Sequence, residues 1–298
     1  MKKILCLSGG GVRGIAQLQV LKKLEEECGR PLHEEYDLVM GSSVGAINAS
    51  IIASGCISMA DLADRYDNMI KDVFKRNRKP TPKYVRTNFL NEWAKIIPND
   101  LKMGDVKTKL ITTTVDLVTD QNVFYKSWHE DDAQETLCYL VTRSFAAPLY
   151  FGQINDPQKK MVYSDGGVGT ANLPLDEAKI QAEAFGWYSD GEEVEIHAVG
   201  TLYDDAKQSY NKVSKFRWFR QVLEYMNPSE GGLARSQSRM DQIRKMKFIC
   251  GHIPAIKFKY WDMGVNKKYV KMDKVKYLDK YTKWGTEMAK EPVCKYNY

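Results

Sequence analysis

Ser43 stands in Gly41-Ser42-Ser43-Val44-Gly45, the Gly-x-Ser-x-Gly form of a nucleophile elbow. Small flanking residues let the backbone make the tight strand-to-helix turn that such a serine needs. Two other glycine-rich motifs flank it in the chain. Gly9-Gly10-Gly11-Val12-Arg13-Gly14 precedes it and offers backbone N–H groups for an oxyanion. Asp165-Gly166-Gly167 follows it and offers a carboxylate as base.

The surrounding pattern places these motifs at element ends. Lys3 to Ser8 is a short apolar run ending in glycines, which reads as a buried, central, parallel strand. Gly14 to Glu27 carries Ile15, Leu18, Leu21 and Leu24 at helical spacing, with Gly29 as a stop. Tyr36 to Met40 reads as a second strand and Val44 to Ser54 as a helix, so Ser43 falls between strand and helix. Ser58 to Phe74 is an amphipathic helix whose Ser58 and Asp61 form a capping box.

Further on, Lys109 to Leu117 is β-branched and reads as a strand, with Val123 to Trp128 its hairpin partner. Asp131 to Ser144 reads as one helix, ended by Ala146-Ala147-Pro148. Met161 to Ser164 is a strand running into Asp165. Leu175 to Phe185 is helical and Val194 to Val199 a strand. Strands alternating with helices indicate an α/β layered domain around a mostly parallel sheet. Past residue 200, Lys212 to Tyr225, Leu233 to Lys247 and Asp273 to Lys290 read as helices and Ile256 to Trp261 as a strand. The expected division is a catalytic domain over residues 1–202 and a basic, mostly helical extension over 203–298, packed on the same domain.

The 298 residues suffice for one large α/β domain or two modest ones. No apolar run reaches the roughly 20 residues of a membrane span, and no signal-peptide core follows Met1-Lys2-Lys3. Six scattered cysteines without Cys-x-x-Cys pairs or zinc spacing suit reduced thiols in a cytoplasmic protein. The net charge of +6 conceals an asymmetry. Residues 1–202 hold 23 Lys and Arg against 28 Asp and Glu, whereas residues 203–298 hold 21 against 10. Lys71 to Arg86 adds a local cluster of seven basic residues and one acidic residue, interleaved with Phe74 and Tyr84 and broken by two prolines. Such basic regions suit anionic phospholipid, nucleic acid or an acidic partner, or are simply solvated. The Lys71–Arg86 stretch reads either as a membrane-facing or lid segment or as a surface loop.

The ordered motifs resemble those of the patatin-like phospholipase family over roughly residues 3–200. Ser144-Phe145-Ala146-Ala147-Pro148-Leu149-Tyr150-Phe151 and Asn172-Leu173-Pro174-Leu175 add to the resemblance. It implies a patatin-like layered fold and a phospholipase A-type lipid acyl hydrolase working through an acyl-enzyme. It makes Ser43 the nucleophile and Asp165 its base without a histidine. The amides of Gly10, Gly11 and Val44 would hold the oxyanion, with Gly9, Gly14, Gly41, Gly45, Gly166 and Gly167 completing the motifs. At Gly10 and Gly11 a Cβ would crowd the substrate. Arg13 either binds an anionic head group or makes a structural ion pair. An aspartate is a weak base near pH 7, and partial burial would strengthen it. No metal or other cofactor is expected. The expected partners are a lipid ester and a phospholipid surface bound peripherally, and no nucleic acid.

Other readings remain in view. The chain would alternatively be a toxic effector silent until a ligand or partner activates it, or a lipid-binding module without activity. Gly9 to Gly14 also satisfies Gly-x-Gly-x-x-Gly, but Gly41-Ser42-Ser43 stands where a dinucleotide fold needs its acid. A Ser–Asp–His triad would need His197 or His252, and neither lies in a recognisable motif.

Overall fold

The computed structural model describes residues 1–78, 82–189, 191–205 and 233–296. The helix expected over 212–225 lies outside these residues, as does part of the 75–86 loop. Strand β1 (Lys2–Leu7) is flanked by β2 (Leu38–Ser42) and β7 (Val194–Val199), parallel to both. Beyond them, β3 (Lys109–Asp116) joins β2 and β9 (Ile256–Trp261) joins β7, again parallel. The rims are antiparallel. Strand β4 (Gln121–Lys126) and β6 (Met161–Asp165) pair with β3, β5 (Ile154–Asp156) with β6, and β11 (Cys294–Tyr296) with β9. Two short strands, β8 (Tyr203–Asp204) and β10 (Gly264–Val265), form a separate parallel pair.

The alternation of side chains along a strand sends apolar groups to both faces of this sheet. Leu5, Leu7 and Val39 enter one core, with α1 (Gly14–Cys28), α3 (Val44–Ser54), α4 (Met59–Val73) and α10 (Leu278–Met288). Ile4, Cys6, Leu38 and Met40 enter the other, with α8 (Leu175–Ala184) and α9 (Leu233–His252). Each fully buried leucine contributes about 1.5–3 kcal/mol. The short helix α2 (Leu32–Glu35) leads into β2, and α5 (Arg86–Trp93) follows the basic segment.

Most expected elements occur within a few residues, including the Ser58 cap, whose Oγ accepts the Asp61 N–H at 3.1 Å. The single helix expected over 131–144 is two. Helix α6 (Glu130–Gln134) and α7 (Leu137–Ser144) are separated at Glu135 and Thr136. There the backbone pairs with the 101–103 segment instead, through Met103 N–H to Glu135 O and Leu137 N–H to Leu101 O. Among the described residues past 203, Leu233–His252 and Leu278–Met288 are helical, and β9 and β11 extend the central sheet.

Candidate active site

Strand register brings the three glycine motifs to one edge of the sheet. Leu7 lies opposite Gly41, Ser42 opposite Thr113, and Thr114 opposite Asp165. Ser43 leaves the sheet directly after β2, and Asp165 is the last residue of β6. Their side chains meet: Ser43 Oγ donates to Asp165 Oδ2 at 2.7 Å. The other oxygen, Oδ1, accepts the Gly167 N–H at 2.7 Å. One oxygen is thus oriented by the backbone while the other faces the serine. Both residues are buried, at 5% and 2% exposure. Ser43 adopts φ 54° and ψ −124°, a costly conformation for a residue with a Cβ that persists only where surrounding contacts impose it. It aims the hydroxyl away from the sheet at the N-terminus of α3, whose partial positive charge suits a developing anion.

The first glycine motif is anchored on both sides. Gly9 donates to Asn172 O at 3.1 Å, and Val12 donates to Met272 O at 2.9 Å. Between these anchors lie Gly10 and Gly11, whose amides have no backbone acceptor among the described residues. Gly11 has φ +61°, which a side chain would strain. The expectation that a Cβ here would crowd a substrate needs correction. A Cβ on Gly10 would strike the Thr201 side chain, and one on Gly11 the Met272 carbonyl. Packing behind the turn demands glycine. Thr201 Oγ1 also donates to Gly9 O at 2.8 Å, so the turn is braced from the rear.

The elbow is equally tight. A Cβ on Gly41 would meet the Gly45 carbonyl, and one on Gly45 the Leu7 carbonyl, so α3 crosses directly over β1 and β2. Gly14 packs against Val44 and Tyr66, and Gly166 against Thr113. Polar contacts fix the helices that start at the two motifs. Gln17 on α1 donates to Ser8 O (3.2 Å) and Val199 O (2.9 Å), and Asn48 on α3 donates to Gln17 Oε1 at 2.9 Å.

Arg13 is buried and turned to the backbone, with Nε donating to Gly10 O at 3.1 Å and Nη1 to Leu202 O at 2.7 Å. Both of these bonds go to backbone carbonyls. His197 lies in mid-strand beside Leu5 rather than at the site edge. Its Nδ1 is 2.7 Å from the Tyr36 hydroxyl and its Nε2 is 3.2 Å from Glu195. Burial pushes its pKa down against the neighbouring carboxylate. His252 ends α9, with Nδ1 2.7 Å from Phe248 O. Neither histidine bonds to Ser43 or Asp165.

A strongly apolar cavity opens from the dyad, walled by Val44, Tyr66, Phe145, Phe151 and Met272 among others. Its volume is about 40 Å³. Beside it the basic segment returns on itself, with Arg76 bridged to Tyr84. Lys83 pairs with Asp273, and Tyr84 OH donates to Asp273 Oδ2 at 3.0 Å.

Sequence reasoning missed Thr201, Met272 and Thr114, which brace the site from distant positions and carry no motif signal. Ser144 and Asn172 do lie in segments singled out in the sequence, without a role attached. Among the described residues no group of three or more His, Cys, Asp or Glu side chains is placed to hold a metal. No helix among them is long and apolar enough to cross a membrane.

Comparison with known proteins adds to this geometry. A family model described as patatin-like phospholipase matches residues 5–179. A "Phospholipase A I" of Arabidopsis thaliana is 36% identical over 72 residues, covering 24% of this chain and 6% of that protein. A "cGAMP-activated phospholipase" of Escherichia coli (strain TW11681) is 25% identical over 240 residues, covering 72% of this chain and 66% of that protein. The chain therefore spans less than two thirds of the length of both relatives. The crystal structure of VipD from Legionella pneumophila superposes with a TM-score of 0.45 and 15% identity, over 97% of this chain and 66% of that one.

Proposed function

The chain belongs to the patatin-like phospholipase family, and on that premise we propose that it is a phospholipase A-type lipid acyl hydrolase with a Ser43–Asp165 dyad. The observation that carries the reading is the 2.7 Å bond from Ser43 Oγ to Asp165 Oδ2 on a strained elbow. Asp165 takes the hydroxyl proton as Ser43 attacks the ester carbonyl. The amides of Gly10, Gly11 and Val44 stabilise the oxyanion, each donor of this kind being worth about 10²–10³ in rate. The lysolipid leaves with the proton, and the acyl group stays on Ser43. Water then attacks the acyl-enzyme, giving a proton to Asp165, which passes it to Ser43 Oγ as the acyl–oxygen bond breaks and the fatty acid leaves. Residues 1–202 carry the chemistry, and residues 203–298 brace it through Met272.

The enzyme works in the cytoplasm on the surface of an anionic bilayer. Exposed Lys71, Lys75, Arg76 and Arg78 support this, as does Leu149, 66% exposed beside them through the bond from Lys83 N–H to Leu149 O. A second reading, an effector silent until a ligand acts, is supported by the relative named for its activation by cGAMP.

The test is fatty-acid release from mixed phospholipid vesicles, with and without cGAMP, by wild type, Ser43→Ala and Asp165→Asn. The dyad predicts that both variants lose at least about 10³-fold in rate. Activity retained by Ser43→Ala would sink the proposal. Activity that appears only with cGAMP selects the second reading.

A further inference from the structure

Ser43 and Asp165 are 122 residues apart, yet one short segment registers both. Helix α7 ends at Ser144, whose side chain is fully buried. Its Oγ accepts the backbone N–H of Ser43 at 3.0 Å. Two residues later, the carbonyl of Ala146 accepts the backbone N–H of Asp165 at 3.1 Å. Thr114, on the strand between them, ties the two sides with its hydroxyl, 3.1 Å from Arg143 O and 2.6 Å from Ser164 O. The dyad is thus held through the amides of its two members as well as through its side chains.

The segment is itself anchored firmly. Arg143 is the largest fully buried side chain of the described residues. Its guanidinium donates to Asp156 (2.7 Å), Tyr125 OH (2.9 Å) and Tyr139 OH (2.7 Å). It also lies 4.1 Å from the ring centroids of Tyr139 and Tyr163. A buried arginine with several charge-assisted bonds and aromatic faces is confined to one position. That confinement passes directly to the next residue, Ser144.

We propose that Ser144 is a positioning residue that holds the nucleophile in its strained, attack-ready conformation; this rests on the hydrolase reading of Ser43. Ser144 does not touch the reacting atoms. The Ser43 amide that it holds sets the direction of the Cα–Cβ bond, and with it the hydroxyl's distance to Asp165. A displacement of about 1 Å in such a site costs on the order of 10²-fold in rate. The bond also commits the Ser43 N–H, leaving the Gly10, Gly11 and Val44 amides for the oxyanion.

The experiment compares Ser144→Ala and Ser144→Thr with wild type in the full chain. Crystal structures read the Ser43 conformation, a fluorophosphonate probe reads the labelling rate of Ser43, and vesicle assays separate kcat from KM. Ser144→Ala is expected to move Ser43 Oγ out of hydrogen-bond range of Asp165. Labelling and kcat then fall about tenfold or more at unchanged KM, and Ser144→Thr, which keeps the acceptor, restores them. The proposal is overturned if folded Ser144→Ala keeps the Ser43 geometry and labels within twofold of wild type. It is also overturned if folded Ser144→Thr is as slow as the alanine variant. Should Ser144→Ala not fold, Ser144→Cys, a weak acceptor, replaces it under the same criteria. If wild-type Ser43 is labelled neither alone nor with cGAMP, the hydrolase reading fails, and the crystallographic comparison alone decides the positioning role.

Discussion

The Lys83 ammonium and the Asp273 carboxylate form an ion pair across 190 residues of chain, and the Tyr84 hydroxyl donates to the same oxygen. The pair joins the basic segment to the residue after Met272, which both walls the cavity and holds the glycine turn. Burial alone would raise the Asp273 pKa. The bonds from Lys83 and Tyr84 outweigh it and hold the carboxyl below its usual range. A carboxyl depressed in the folded state stabilises the fold above its unfolded pKa of about 3.9. That stability is lost as pH falls through the lower folded value. Asp273→Asn should therefore cost about 1–3 kcal/mol at pH 7, with the gap to wild type closing below about pH 4. Urea unfolding at several pH values reads the gap, and a pH-independent difference contradicts this account.

Gly11→Ala combines two faults, a side chain at φ +61° and a Cβ against the Met272 carbonyl. The expected loss of stability is more than about 1 kcal/mol. Because the turn must shift to relieve the contact, ester hydrolysis should fall by about 10²–10³, the loss of one oxyanion donor. Urea titration and a soluble-ester assay measure the two effects separately. Wild-type activity in this variant would remove Gly11 from the oxyanion hole.

The histidines should matter to the fold and not to the chemistry. His197→Ala breaks the buried contacts with Tyr36 and Glu195, costing about 1–3 kcal/mol. His252→Ala removes a bond at a helix end. Below the unfolding temperature, both variants should keep kcat within about twofold of wild type, since each variant then loses less than about 0.5 kcal/mol of barrier. A hundredfold loss in folded His197→Ala would reinstate a triad.

Replacing Lys75, Arg76 and Arg78 together with glutamine should weaken binding to phosphatidylserine vesicles roughly 100-fold at low salt, at about 1 kcal/mol per basic residue near the surface. Wild-type binding should weaken as salt shortens the Debye length from about 10 Å at 0.1 M. Vesicle co-sedimentation across a salt series decides it, and salt-insensitive binding rules out the electrostatic attachment.

The geometry of the candidate site was legible in the sequence because each of its parts is a local turn. A glycine turn after a strand, a Gly-x-Ser-x-Gly elbow and an Asp-Gly-Gly turn carry their geometry in adjacent residues. Strand periodicity then placed all three at strand ends, and the order of β1, β2 and β3 follows from their parallel crossovers. What was not legible depends on residues far apart in the chain. The break between α6 and α7 arises because the 101–103 segment captures the backbone at Glu135 and Leu137; helical periodicity continues across it unmarked. The reason for glycine at positions 10 and 11 resides in Thr201 and Met272. For Arg13 the sequence leaves a head-group contact and an ion pair both open, and only the fold reveals its bonds to the carbonyls of Gly10 and Leu202.

The rear support of the glycine turn has a temporal meaning. Val12 is anchored to Met272, and β7 is covered on its outer edge by β9. A nascent chain that has just emitted Asp165 from the ribosome already contains Ser43 and Asp165, but no wall behind Gly11 and an open strand edge at β7. More than a hundred further residues must be synthesised before Met272 can dock. The glycine turn therefore gains its rear support only late in translation, after the C-terminal part has folded onto the sheet. A ribosome carrying an incomplete copy holds a glycine turn that nothing yet braces.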